Sequence, residues 1–186
     1  MDLKKITIAG FILTCLAQLF IPANMILDRE DVLKTGTEYK FRTAPIDPND
    51  PFRGKYIVLS FQENTFPVND QYDWTMNDPV FVEFTTDANG FAKIKNVAKT
   101  PPKTSDYLHS TIAYIDQSND QYQLVINYPF DRFYMEESKA LPAEEAYREA
   151  ALDSTQVAYA LVHLKNGTAV LKDVMIDGKS IKDLVE

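Results

Sequence analysis

Asn166-Gly167-Thr168-Ala169-Val170-Leu171-Lys172-Asp173-Val174 is the stretch whose reading decides the fold of this chain. Asn-Gly between two apolar runs is a strong hairpin signal, because both residues accept the positive φ that a two-residue turn requires. The run before it is YALVHL, at residues 159–164. The same spelling occurs 77 residues earlier, as Asn89-Gly90-Phe91-Ala92-Lys93-Ile94-Lys95-Asn96-Val97 after VFVEF. Both copies read N-G-x-A-x-x-K-x-V. Two readings stay open at this point, an old duplication or two Asn-Gly hairpins converging on one pattern.

Outward from these hairpins the chain alternates apolar with polar residues and is rich in β-branched and aromatic types. Strands are predicted over residues 38–44, 55–62, 79–86, 91–99, 107–116, 121–128, 156–165 and 168–176, separated by turn clusters such as Gln117-Ser118-Asn119-Asp120. A looser likeness links YIVLSF at 56–61 with YQLVINY at 122–128. The exception is PAEEAYREAAL at 142–152, where a proline followed by helix formers predicts one short helix. The expected fold is mainly β: an antiparallel sandwich or barrel built from two similar units of about four strands, with one short helix.

The N-terminal end reads differently. Residues 6–27 carry no charge, follow Lys4 and Lys5 and precede Asp28-Arg29-Glu30-Asp31. As a helix they cover about 33 Å, against a hydrocarbon core of roughly 30 Å. An uncleaved transmembrane anchor is the first reading. A signal peptide is the second, although Ile21-Pro22-Ala23 fits a cleavage site poorly, and a lipoprotein is the third, although Thr14 before Cys15 is large for a lipobox. The two N-terminal lysines favour the N-terminus inside and the following domain outside the cytoplasm. The helix is expected to run on through Val32-Leu33-Lys34 to a cap at Gly36. Residues 1–35 thus form an anchor and stalk, and residues 36–186 an extracytoplasmic β domain. Gln18, Pro22 and Asn24 interrupt the apolar run, as a simple bend with interfacial amides or as a face that bonds a neighbouring membrane helix.

Composition narrows the function. Nineteen basic against 27 acidic residues leave a net charge of −8, which offers no basic patch for a phosphate backbone, so a nucleic-acid partner is not expected. A single cysteine, Cys15, leaves no intramolecular disulfide and no cysteine-based metal site.

The segment from Ala44 to Phe61 is the most distinctive. Pro45, Pro48 and Pro51 fall within seven residues and exclude a helix or strand interior. A rigid loop follows, which Asp47 and Asp50 can brace through backbone N–H groups and Arg53 through a carboxylate; Gly54 permits a tight conformation. This loop is expected to join the β unit to the membrane. Here the sequence resembles the bacterial membrane-anchored family named for its GDYxxLxY signature. Pro45, Asp47, Pro48, Asp50, Arg53, Gly54, Tyr56 and Leu59 carry the resemblance. Lys55 stands where the family has Asp, which removes an acid–base or metal-ligand role there, and Phe61 stands for a final Tyr, which points to a packing position. The resemblance implies a membrane-anchored protein of the bacterial cytoplasmic membrane, and it implies no reaction.

Chemistry is sparse elsewhere. His109 and His163 read as sheet-face histidines, and no nucleophile elbow, zinc-protease, P-loop or dinucleotide motif occurs. No catalytic residue, metal or cofactor is expected. A second polar segment carries Asp131, Arg132, Tyr134 and Glu136, read either as a recognition strand or as a strand that buries Phe130 or Phe133 and pairs its charges at the rim. The expected function is a membrane-anchored binding or accessory module beside a polytopic membrane protein. The alternative is a cell-envelope hydrolase or a small-ligand or glycan-binding domain built on Asp47, Asp50 and Arg53.

Overall fold

The computed structural model describes residues 3–44, 56–69, 73–104, 106–118, 121–153 and 155–185. Helix α1 (Leu3–Thr35) precedes the strands β1 (Thr37–Ala44), β2 (Tyr56–Val58), β3 (Ser60–Phe61), β4 (Thr65–Val68), β5 (Pro79–Thr86), β6 (Ala92–Ala98), β7 (Tyr107–Ser118), β8 (Gln121–Asn127) and β9 (Arg132–Tyr134). Helix α2 (Glu137–Leu152), strands β10 (Ala158–Lys165), β11 (Thr168–Ile176) and β12 (Lys179–Ser180), and a single turn, α3 (Ile181–Leu184), complete the order. One antiparallel sheet runs β12-β11-β10-β1-β3 and a second β4-β8-β7-β5-β6, with β2 and β9 as a separate two-stranded ribbon. The mainly β, antiparallel fold behind an N-terminal apolar helix is thus the one expected from the sequence, with five strands to a sheet.

The two Asn-Gly segments owe their shared spelling to a shared irregularity. In β5–β6 the register shifts between Glu83 and Phe84, which face Asn96 and Ile94, so Lys95 is the extra residue. In β10–β11 it shifts between Leu161 and Val162, which face Asp173 and Leu171, so Lys172 is the extra residue. A bulge changes which face follows it. Ala92, Ile94 and Val97 therefore point inward in one hairpin, and Ala169, Leu171 and Val174 in the other.

The turns differ. Asn166 and Gly167 both have positive φ, 49° and 86°, and form a two-residue turn. The first hairpin closes through a longer loop, in which the Asp87 carboxylate accepts the N–H groups of Asn89 and Phe91, both at 2.8 Å. The Gly167 turn also joins the sheets. Its carbonyl accepts from His109 N–H at 2.9 Å and its N–H donates to the Tyr107 carbonyl at 3.1 Å, leaving a nearly closed barrel.

Several expectations need correction. The segment YIVLSF is not one strand. Tyr56–Val58 pairs with β9 and Ser60–Phe61 with β1, and between them Leu59 N–H donates to the Asp131 carbonyl at 2.8 Å. Alternation survives the split, with Ile57, Leu59 and Phe61 buried. Strand β4 contains Pro67, which is tolerated because β4 is an edge strand and needs no donor on its free side. Helix α2 begins at Glu137, five residues before Pro142. The carbonyl that Pro142 leaves without a donor is that of Ser138, in the exposed first turn where water can take its place. Ala140, Ala143, Tyr147 and Ala150 form the buried face of α2, and the three alanines let the helix lie close to the strands.

The stalk meets the domain at the β10–β11 hairpin. Val32 is buried, Arg29 donates to the Ala169 carbonyl at 3.0 Å, and Lys165 lies 2.6 Å from Asp31. Gly36 follows the helix and its N–H donates to the Val32 carbonyl at 2.8 Å, but it has no positive φ. What requires glycine is space, because a Cβ there would clash first with the Val32 carbonyl oxygen of α1 and then stand 2.9 Å from the Leu164 carbonyl oxygen. The chain thus enters the domain directly through Gly36. Ala44, the last described residue before Pro45, lies at the opposite end of β1, and the expectation that the segment 45–54 joins the β unit to the membrane falls on residues outside those described.

Gly167→Ala is expected to cost about 1–3 kcal/mol, since the new Cβ would meet the Tyr107 ring at 3.0 Å in a positive-φ backbone. Gly90→Ala, with the same sign of φ and open space around it, is expected to cost about 1–2 kcal/mol. Denaturant unfolding of the two variants side by side checks the order, and equal losses would remove the argument from close approach.

Candidate functional site

Pairing of β2 with β9 brings the two sequence-predicted clusters together. Tyr56 stands opposite Tyr134, Ile57 opposite Phe133 and Val58 opposite Arg132. Period-two alternation sends Ile57 and Phe133 inward, both buried, and leaves Tyr56, Arg132 and Tyr134 on the outer face. The Tyr56 and Tyr134 rings are 5.3 Å apart at 55°, and the Arg132 guanidinium lies 5.2 Å from the Tyr56 ring centre. The Asp131 carboxylate is 3.8 Å from Arg132 Nε. The Tyr134 hydroxyl, then Asp131 and Tyr56, hold the Arg132 guanidinium above its usual pKa, so it is a fixed positive charge. Tyr134 is 64% exposed.

The other predicted residues divide. Pro45, Asp47, Pro48, Asp50, Arg53 and Gly54 lie outside the described residues. Leu59 is buried and belongs to the core. Glu136 is exposed just ahead of α2, where its backbone carbonyl accepts from Lys139 N–H, and its side chain makes no cap. Phe130 and Phe133 are both buried, so the segment combines its two readings: an inward aromatic layer and an outward polar one. Tyr147, in the helix expected at 142–152, was not among the candidate site residues. Its hydroxyl reaches the carbonyl of Ala44, the last described residue before the proline loop, and burial pushes its pKa up to about 12. Its spacing from Ala140, Ala143 and Ala150 was the available signal.

The family model of the GDYXXLXY protein matches residues 18–174, from the middle of α1 to the second bulged hairpin. The chain belongs to the GDYXXLXY family. No curated protein and no solved structure matches it. In this GDYXXLXY protein the signature tyrosine, Tyr56, is half-buried with its ring tilted against Tyr134 of β9, whereas the signature leucine, Leu59, is buried in the core.

Elsewhere the histidines have structural partners. His109 stacks on Phe81 with ring centres 5.0 Å apart. His163 Nε2 lies 3.1 Å from Glu38 Oε2, which also meets Lys172 Nζ at 3.1 Å. Among the described residues no three His, Cys, Asp or Glu side chains converge as a metal site. A second hollow of about 290 Å³ lies between Arg42, Gln62 and Asp153, but Arg42 is stacked on Phe91 at 4.0 Å and Gln62 donates to the Thr43 carbonyl. The outer ribbon therefore offers aromatic faces, two phenol groups and a fixed cation. Such a set offers contact area together with directional hydrogen bonds.

Burial opposes the charge on Glu38, but the hydrogen bond and charge of Lys172, then those of His163, outweigh it and hold the carboxyl below its usual 4.5. A depressed pKa contributes stability above the unfolded value that is lost as pH falls through the folded one. Glu38→Gln is therefore expected to cost no more than about 1 kcal/mol near neutrality, the pair being half exposed. That difference should vanish on acidification below the usual carboxylate range. Unfolding curves at stepped pH check this, and a pH-independent difference would contradict it.

Proposed function

We propose that this chain is a membrane-anchored accessory module of the bacterial cytoplasmic membrane, with its β domain outside the cytoplasm and its anchor packed beside a polytopic membrane protein. The observation that carries this reading is the state of α1. Its apolar window has a mean hydropathy of 2.0 and is 0% buried within the chain, so the domain provides nothing to cover it. Hydrocarbon satisfies the leucines, isoleucines and phenylalanines. It does not satisfy the Gln18 and Asn24 amides, which are exposed on the same helix. A neighbouring membrane helix does, at about 1 kcal/mol for each hydrogen-bonded side chain. Lys4 and Lys5, just ahead of the uncharged run, support an inside N-terminus.

In-membrane cross-linking of the full chain is expected to recover a multi-spanning protein, and Gln18→Leu with Asn24→Leu is expected to lower the yield severalfold. Recovery of monomer alone, unchanged by the substitutions, would overturn the reading.

A second reading concerns the other end of the domain and rests on the exposed Tyr134 beside Tyr56 and Arg132: a recognition surface for a glycan or peptide of the envelope. Tyr134→Ala and Arg132→Ala are expected to abolish retention on such a ligand while changing folding stability by less than about 1 kcal/mol, because neither side chain enters the core. A large stability loss in both variants would make the ribbon architectural.

A further inference from the structure

The stalk and the β10–β11 hairpin enclose a groove of about 350 Å³ that the docking contacts do not fill. Met25 lines it on the membrane side, Asp28, Arg29 and Asp31 on the helix, and Lys165 and Thr168 on the hairpin. Its depth follows from the reading of α1 as a membrane anchor, on which this inference rests. Leu27 is the last residue of the uncharged run, and residues 28–32 climb about 7.5 Å at roughly 1.5 Å each. The headgroup layer on each side of a bilayer is roughly 5–8 Å thick. The polar walls of the groove thus stand within that layer, and Met25 at its foot meets the acyl chains.

The charges in the groove are balanced and partly uncommitted. Lys165 is held by Asp31 and the Thr35 hydroxyl, both at 2.6 Å. Arg29 uses one terminal nitrogen on the Ala169 carbonyl, which leaves the other edge of its guanidinium fork available. Asp28 makes no hydrogen bond or ion pair among the described residues. One guanidinium and one carboxylate, adjacent in sequence at the same depth, match a ligand that carries both signs.

We propose that this groove seats the phosphoethanolamine headgroup of a phospholipid from the leaflet facing the β domain, the phosphate on Arg29 with Lys165 behind it and the ammonium on Asp28. A guanidinium fork suits phosphate oxygens, and an ammonium donates to a carboxylate. The size agrees, since sites for small ligands begin near 300 Å³. Choline lipids have no N–H to donate to Asp28. Glycerol headgroups bring a negative charge with no cation, and Asp28 and Asp31 repel it.

The test is native mass spectrometry of the full-length chain in detergent with equal amounts of phosphatidylethanolamine, phosphatidylcholine and phosphatidylglycerol of matched acyl chains. The ethanolamine lipid is expected to be retained roughly fivefold over the others, the equivalent of one exposed ion pair. Asp28→Asn should bring the ethanolamine-to-choline ratio to near unity, and Arg29→Gln should weaken retention of all three. A preference for phosphatidylglycerol, equal retention of all three, or an ethanolamine preference that survives Asp28→Asn would each overturn the proposal. Alkali-resistant association of the same variants with vesicles reports on the anchor separately. If association is kept while headgroup preference is absent, the groove proposal fails and the anchor stands; if association is lost in the unaltered chain, the anchor reading itself fails.

Discussion

Packing around Phe41 is the constraint on which the rest of the domain depends. Its ring, fully buried on β1, lies 5.9 Å from Phe61, 5.1 Å from Phe84, 5.6 Å from Tyr128 and 5.1 Å from Phe130. These partners come from β3, from the facing sheet at β5, and from the connection between β8 and β9. Tilted and edge-to-face contacts among large aromatic side chains favour one arrangement over its neighbours, beyond the area they bury. The one polar atom among these rings is satisfied, since the Tyr128 hydroxyl donates to the Glu63 carbonyl at 2.6 Å. Phe61 fixes where the signature segment enters the sheet, and Phe130 fixes where β9 begins. The pairing of Tyr56 with Tyr134 is a consequence of both.

The domain has two functional ends. Strand β1 leaves the anchor at Thr37, opposite Leu164, and reaches Ala44 opposite Ser60. Seven residue steps along the strand separate these ends by roughly 23 Å. The stalk, the Gly36–Leu164 approach and the groove between Arg29 and Lys165 belong to one end. The flanks of the proline loop and the tyrosine–arginine ribbon belong to the other. On the readings proposed above, a partner within the bilayer and a ligand at the ribbon would meet separate surfaces of one β unit.

The repeated N-G-x-A-x-x-K-x-V spelling has a physical content independent of its origin. Each position answers a local demand: a turn, inward small and branched residues, a lysine at the bulge, and an inward valine after the face has switched. The hairpins are not equivalent in the whole. Gly167 makes bonds to β7 that close the barrel, while Gly90 stands in open space.

The chain's local chemistry by itself determined the apolar helix, the Asn-Gly hairpins and most strand positions, because turn residues, charge-free length and period-two alternation act within a few residues of one another. It also marked Phe61 as a packing residue and Tyr56 and Arg132 as residues of interest, though in separate segments. Tertiary structure alone decided that YIVLSF divides between two partners, that a strand containing Pro67 survives at an edge, and that the Leu164 carbonyl crowds Gly36 in addition to the Val32 carbonyl of α1. Each of these depends on which distant strand arrives alongside, through the Asp131 and Leu164 carbonyls or the Phe41 ring, and contacts between residues far apart in the chain leave no local pattern to read.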